Sequence, residues 1–387
     1  MNQEPGLHVH FPAKLAELDA KEFDELVGSD QPFLKYVFLR TLEMSDCVSR
    51  ETGWQPHHFV ITNDSGHLLA FAPVYLKYHS YGEYVFDWAW ADAYQKHGMS
   101  YYPKLLCSIP FTPSVSRRIL ARAEDADANH YSELFRKVVE RHCAQHGISS
   151  AHVLFPKSSH SLEGSLNGWL KREGVQYHWF NKGYESFDAF LQNLNAAKRK
   201  NIRKERKRLE AAGIRYVWKM AFELTIRERQ FFFECYERTY NIRGQMAYLN
   251  QVFFEGIFQG MGEECLLLFA IDDCDEMLAS ALFFQGERSL YGRYWGALKD
   301  VPCLHFELCY YAGIERCIAL GLERFDAGAQ GEHKLLRGFE PVSTQSFHFI
   351  RHPDFRAAID GFLSQEREYI EQYREDARAW LPYKKHD

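Results

Sequence analysis

The segment ITNDSGHLLAFAPVYL, beginning at Ile61, reappears in outline as AIDDCDEMLASALFF, beginning at Ala270. Leu69-Ala70 of the first falls on Leu278-Ala279 of the second. Each copy leads into an aromatic segment that reads as a strand, VFDWAW in one and GRYWGA in the other, and then through a helix to a further strand. A repeat of this kind constrains the fold more than any other feature of the chain, because it calls for two copies of one unit in tandem. Residues 1–183 and 184–387 are the two domains expected.

Strand and helix patterns alternate in both halves, which predicts α/β layering with a mixed sheet. In the first half, HHFVITN, LLAFAPVYLKY and EYVFDWAW read as strands, and NDSGH supplies turn chemistry between the first two. Pro73 inside the second strand predicts an edge or a bulge. NHYSELFRKVVERHCAQHG is an amphipathic helix stopped by Gly147, SSAHVLF a buried strand, and SLEGSLNGWLKREG a further helix. In the second half, FDAFLQNLNAAKRKNIRKERKRLEAAG reads as one long helix. Two helices, three strands (ECLLLFAID, MLASALFFQG, SLYGRYWGAL), the helix HFELCYYAGIERCIALG and the strand ERFDAG follow, and a long charged helix closes the chain.

Composition excludes little. Charged residues are 25% of the 387 and the net charge is −6, so no global charge points to nucleic acid or an anionic membrane. The 30 Phe and 22 Tyr suit cores and ligand pockets alike. Nine scattered cysteines form no Cys-x-x-Cys pair and no zinc spacing, which predicts free thiols in a reducing cytoplasm. The start, MNQEPGLHVHFPAKL, lacks the pattern of a signal peptide, and no run approaches about 20 apolar residues, so a cytoplasmic protein with no transmembrane segment is expected.

FDAGAQGEHKLLRGFEP, residues 325–341, concentrates the chemistry. It follows a strand, where ligands of layered α/β folds bind, and its glycines allow close backbone approach. Asp326, Glu332 or His333 could take a proton from an amine. Lys334 and Arg337 suit a carboxylate, a phosphate or a developing oxyanion. The alternative is a solvated polar loop. Upstream, Glu307 and Tyr311 stand four apart on one helical face, and Arg293, Tyr294 and Trp295 either line a pocket or belong to the core. Asp87 and Trp88 pose the same choice.

KRKNIRKERKRLE holds eight Lys or Arg between residues 198 and 208 against one Glu. Lys198, Arg199, Lys200 and Arg203 are the residues assigned to phosphate, on RNA, on a nucleotide or at a membrane surface. Paired surface charge is the bland reading. Walker A, G-x-G-x-x-G, G-x-S-x-G and H-E-x-x-H patterns are all lacking, which lowers kinase, dehydrogenase, serine hydrolase and zinc-enzyme readings. His57-His58 and the His8/His10 pair read as surface or strand residues, and no metal ligand is expected.

CLHFELCYYAGIERCIALGLERFDAGAQGEHKLLRGFEPVSTQSFH resembles a signature block of the bacterial FemAB-like N-acyltransferases. WAWADAYQKHGMSYYPKLLCSIPFTP and KRKNIRKERK are similar to the same family, so the likeness runs from about residue 20 to about residue 380. It implies two tandem GNAT-like (acyl-CoA N-acyltransferase-type) domains, α/β or α+β by some schemes, each a mixed, mainly antiparallel sheet flanked by helices. It also implies transfer of an acyl or aminoacyl group to an amine in peptidoglycan metabolism, with acyl-CoA or aminoacyl-tRNA as co-substrate and no tightly bound cofactor. The Fem-like Asp-x-Gly followed by Lys maps onto Asp326-Ala327-Gly328 and Lys334. Glu332 or His333 is then the implied base, Lys334 and Arg337 the carbonyl or anion contacts, and Gln330 a substrate contact. Where a GNAT pyrophosphate loop, R/Q-x-x-G-x-G/A, would open a helix, this chain reads GALKDVPCLHFE with no glycine pair. The expected acceptor is a small-molecule or peptide amine, with tRNA at the basic helix. The competing reading is a non-catalytic module that recognises a cell-wall precursor, a peptide or RNA.

Overall fold

Both copies of the repeated segment are antiparallel hairpins with one register. In the computed structural model, which describes residues 6–28, 30–122, 128–157, 160–329 and 331–384, Phe59–Asn63 pairs with Leu68–Ala72, and Cys265–Ile271 with Met277–Gln285. Ile61 faces Ala70 and Thr62 faces Leu68 across a bulge. Ala270 faces Ala279 and Ile271 faces Met277 across a bulge at the matching place. Register is fixed by turn length and by which face is buried, so identical irregularities in both copies mark a shared architecture.

The chain divides into two compact units, residues 1–174 with 343–372 and residues 175–342 with 373–387. In the first, Trp54–Pro56, Val74–Lys77, Lys104–Cys107, Ser150–Leu154 and Ser346–Ile350 are neighbours in one sheet. Its pairings are antiparallel except that between Lys104–Cys107 and Ser150–Leu154. Leu7–His10, the repeated hairpin and Leu120–Ala121 form a second sheet. The helix Ala128–His146 packs Tyr131, Phe135, Val139 and Cys143, four residues on one stripe, against Phe59, Ile61, Ala72 and Val153.

In the second unit the sheet runs Arg215–Met220, Cys265–Ile271, Met277–Gln285, Ser289–Ala297, Arg324–Asp326 and the Tyr177–Phe180 end of a longer strand. Only Ser289–Ala297 and Arg324–Asp326 pair in parallel. Helices Ile226–Asn241 and Gln251–Gly260 contribute an aromatic layer of Phe232, Tyr236 and Phe254. Gly296 lets the first of these helices approach, since a Cβ there would stand 1.9 Å from the Cys235 carbonyl oxygen.

Four local expectations fail for physical reasons. VFDWAW is not a strand: Trp90 and Tyr94, one helical turn apart, are buried on the helix Trp88–Lys96, so helical period overrides aromatic β-propensity. The long helix of the second half is two, Phe187–Gln192 and Ala196–Ala211. Asn195 caps the second by accepting from the Lys198 N–H at 3.0 Å, and buried Leu194 pulls the chain inward between them. SLEGSLNGWLKREG is helical only over His160–Ser165, after which Leu170 begins a strand. Pro73 splits LLAFAPVYLKY into two strands rather than bulging one. All nine cysteines are free. No helix among the described residues is long and apolar enough to cross a membrane.

Candidate active site

The strand Arg324–Asp326 delivers Asp326 to the segment singled out by composition. The Asp326 carboxylate is buried and faces Arg293, whose Nη2 donates to Oδ2 at 3.0 Å and whose Nη1 lies 3.4 Å from Oδ1. The Gly328 N–H donates to Oδ1 at 2.9 Å. Burial would push this carboxyl up, but the Arg293 charge, His178 and these hydrogen bonds hold it well below the usual carboxylate range.

Past Asp326 the chain needs two left-handed residues, Gly328 (φ 85°) and Gly331 (φ 111°), to double back. Gly331 also lies against the His333 ring, where a Cβ would stand 2.6 Å from Cε1. A 3-10 turn, Glu332–Arg337, then points Lys334 inward, and its ammonium donates to the Gly328 carbonyl oxygen. Burial lowers Lys334 to about 8, with Asp326 opposing and Arg293 assisting. His333 reaches solvent, and its Nε2 is 2.7 Å from the Tyr310 hydroxyl. Burial, then Arg337 and Lys334, lower its pKa, which keeps the ring neutral at neutral pH.

Arg337 is spent internally. Its Nε donates to the Tyr311 hydroxyl at 2.9 Å, its Nη1 to the His333 carbonyl at 3.0 Å and its Nη2 to Glu205 at 3.3 Å. Its guanidinium lies 3.5 Å from the Phe306 ring centroid. Tyr311 donates to Glu205 as well. Glu307 is buried, and burial raises its carboxyl to about 7 against the pull of Arg206, whose Nε donates to Oε2 at 3.1 Å. Glu307, Tyr310 and Tyr311 share one π-helical turn inside the helix Leu304–Leu320. Such bulges recur at functional sites.

A cleft of about 320 Å³ opens beside these residues, lined by Trp295, Val301, Cys303, Leu304, His305 and Phe306 among others. His305 connects the two: its ring centroid is 4.6 Å from Trp295 and 5.9 Å from His333. Burial lowers His305 to about 4, so it too is neutral.

The second unit therefore brings together Asp326, Arg293, Lys334, His333, Arg337 and Tyr311, with Glu307 and Trp295 at the margins. Tyr294 stands apart: it packs 5.2 Å from Tyr236 and 6.0 Å from Phe254 in the aromatic layer. Gln330 and the Glu332 side chain lie outside the described residues. Asp87 and Trp88 belong to the first unit. There Asp87 is buried and accepts from Lys104, Ser80 and Tyr101, while Trp88 faces solvent edge-on to Tyr81 at 4.8 Å. On the basic helix Lys200 is exposed, Arg203 pairs with Asp188 at 2.9 Å, Arg199 donates to the Leu194 carbonyl at 3.3 Å and Lys198 is half-buried. Sequence reasoning placed His305 beside Glu307 near the start of its helix but missed Glu205, Arg206, Tyr310 and His178. Only Glu205 carried a signal, as the single acid in a basic run.

The FemAB-like family, described as peptidoglycan biosynthesis/recognition, matches residues 14–385. Comparison with curated proteins gives no match. Among solved structures, FemX superposes with TM-score 0.54 at 11% identity, over 89% of this chain and 98% of that one. The C-terminal domain of a lysylphosphatidylglycerol synthetase from Agrobacterium fabrum gives 0.52 at 13% identity, over 89% and 96%. A tandem GNAT protein from the clavulanic acid biosynthesis pathway gives 0.45 at 9%, over 90% and 99%. At these identities the first two structures speak for the fold alone, a mixed, mainly antiparallel α/β architecture. The family match, spanning nearly the whole length, decides membership: the chain belongs to the FemAB-like family.

Proposed function

We propose that this protein is an N-acyltransferase that moves an acyl or aminoacyl group from an activated donor to an amine on a cell-wall peptide or precursor, with the chemistry carried by residues 184–387. The observation that supports it most is the buried Lys334, near neutral in pKa, held on a glycine carbonyl beside a neutral histidine and an apolar cleft. A solvated loop has no use for a buried amine. The family description supports the cell-wall setting.

In this reading the amine attacks the donor carbonyl, a C–N bond forms, the C–S or C–O bond to the carrier breaks, and the carrier leaves with a proton. His333 takes the proton of the attacking amine. With Nε2–H donating to the Tyr310 oxygen, Nδ1 is left with a free lone pair, which is what a base requires. Lys334, as ammonium, stabilises the oxyanion and passes a proton to the leaving group. Asp326 positions Arg293 and the Gly328 turn rather than moving protons, because its carboxylate stays charged. Arg337 and Tyr311 hold His333 through its backbone carbonyl and the Glu205 link. Glu332 is the competing base.

The donor is an acyl-CoA or an aminoacyl-tRNA, and the exposed Lys200, Lys204, Lys207 and Arg208 offer phosphate contacts to either. The setting we assign is cytoplasmic. The test is mass-spectrometric detection of amide formation when the protein meets each donor class together with amine-bearing stem peptides. Amide from either class supports the reading. Binding of the peptide without consumption of any donor supports the recognition module instead.

A further inference from the structure

Outside this site, the first unit gathers three imidazoles. His57 follows the short strand Trp54–Pro56, and His142 and His146 occupy the last turn of the helix Ala128–His146. The Nε2 atoms of His57 and His142 face each other at 3.0 Å. His146 stacks on His142 with ring centroids 4.1 Å apart. Phe11 lies parallel to His57 at 4.8 Å and against His142 at 4.7 Å, which restricts both rings. His57 and His142 are half-buried and His146 is exposed, so the group can be reached from water.

We propose that His57 and His142, as the two protein ligands, bind a divalent late first-row transition-metal ion through their Nε2 atoms. Two nitrogens at right angles on an ion, each about 2.1 Å from it, stand about 3.0 Å apart, which matches cis positions of a square-planar or octahedral centre. The neighbouring His58 is excluded, because its Nε2 is engaged by Glu43 at 3.0 Å.

The donor chemistry supports the same ligand, because imidazole nitrogen suits late first-row divalent ions. Without metal, one Nε2–H donates to the other Nε2. On binding, that ring moves its proton to Nδ1 and both Nε2 lone pairs face the ion, so no proton is released.

The test uses the full chain, free of any histidine tag, treated with EDTA and titrated with Cu²⁺, Ni²⁺ or Zn²⁺ alone. One ion per chain is expected, with a Cu²⁺ electron paramagnetic resonance spectrum showing coupling to imidazole nitrogen. His57→Gln and His142→Gln each weaken binding by about tenfold or more. His57→Phe, which retains a ring against Phe11, does the same while keeping the circular dichroism of the parent. Failure to bind, unchanged affinity in the His57 variants, or loss only in His142→Gln and His146→Gln, which marks an adventitious helix-surface pair, overturns the proposal.

Discussion

Glu205 accepts hydrogen bonds from both Tyr311 and Arg337, although it is the one acid in a run of eight basic residues. It ties the basic helix to the turn that presents His333. Glu205→Ala leaves the Arg337 guanidinium and the Tyr311 hydroxyl without their acceptor. The Glu205 side chain retains 23% exposure, so water offsets part of the loss. A fall in unfolding free energy of about 2 kcal/mol is expected by urea denaturation, less than for a fully buried pair.

Asp326 and Arg293 are such a pair, at 2% and 4% side-chain exposure. Asp326→Asn removes the negative charge that the buried Arg293 guanidinium faces and should cost about 3 kcal/mol at neutral pH. Because the native carboxyl titrates below its ordinary 3.8, its stabilisation is full above that value and disappears as the pH falls through the native pKa. The gap between wild type and variant in urea unfolding should therefore narrow only in strong acid.

Lys334 gives a pH slope of the same sign in an alkaline window. Its pKa falls from 10.5 to about 8 on folding, so the unfolded chain binds more protons between these values. Wild-type stability should rise across that window, and Lys334→Met should flatten the rise. Transfer should decline above about pH 8 as the ammonium is lost.

These relationships differ in how far the sequence announced them. The hairpins were legible because turn residues and alternating apolar residues are local signals, and both copies carried them. The segment around Asp326 and Lys334 was legible because glycine, acid and base crowded where apolar periodicity stopped. The Glu205–Arg337 contact spans 132 positions and leaves no local trace. Tyr310 was missed because the face of a helix is read at 3.6 residues per turn, whereas Glu307–Tyr311 is wound as a π-turn. VFDWAW was misread because its aromatics satisfy strand propensity and its Trp90–Tyr94 spacing satisfies a helix.

Glu307 should titrate near neutrality. Burial raises it from 4.5 to about 7, so its native proton stabilises the fold below 4.5 and that contribution is lost as pH rises through 7. Glu307→Gln should remove that decline, so the variant's stability should gain on that of wild type as pH rises between those values. Arg206→Ala should raise the Glu307 pKa further, which infrared titration of the buried carboxyl can follow.

The most direct measurement is single-turnover amide formation from the active donor by wild type, Lys334→Met, His333→Ala and Glu332→Ala. Losses of about a hundredfold are expected for Lys334→Met and His333→Ala. Circular dichroism and chain stability should stay close to wild type, and Glu332→Ala should remain active. Undiminished turnover in Lys334→Met would contradict the account.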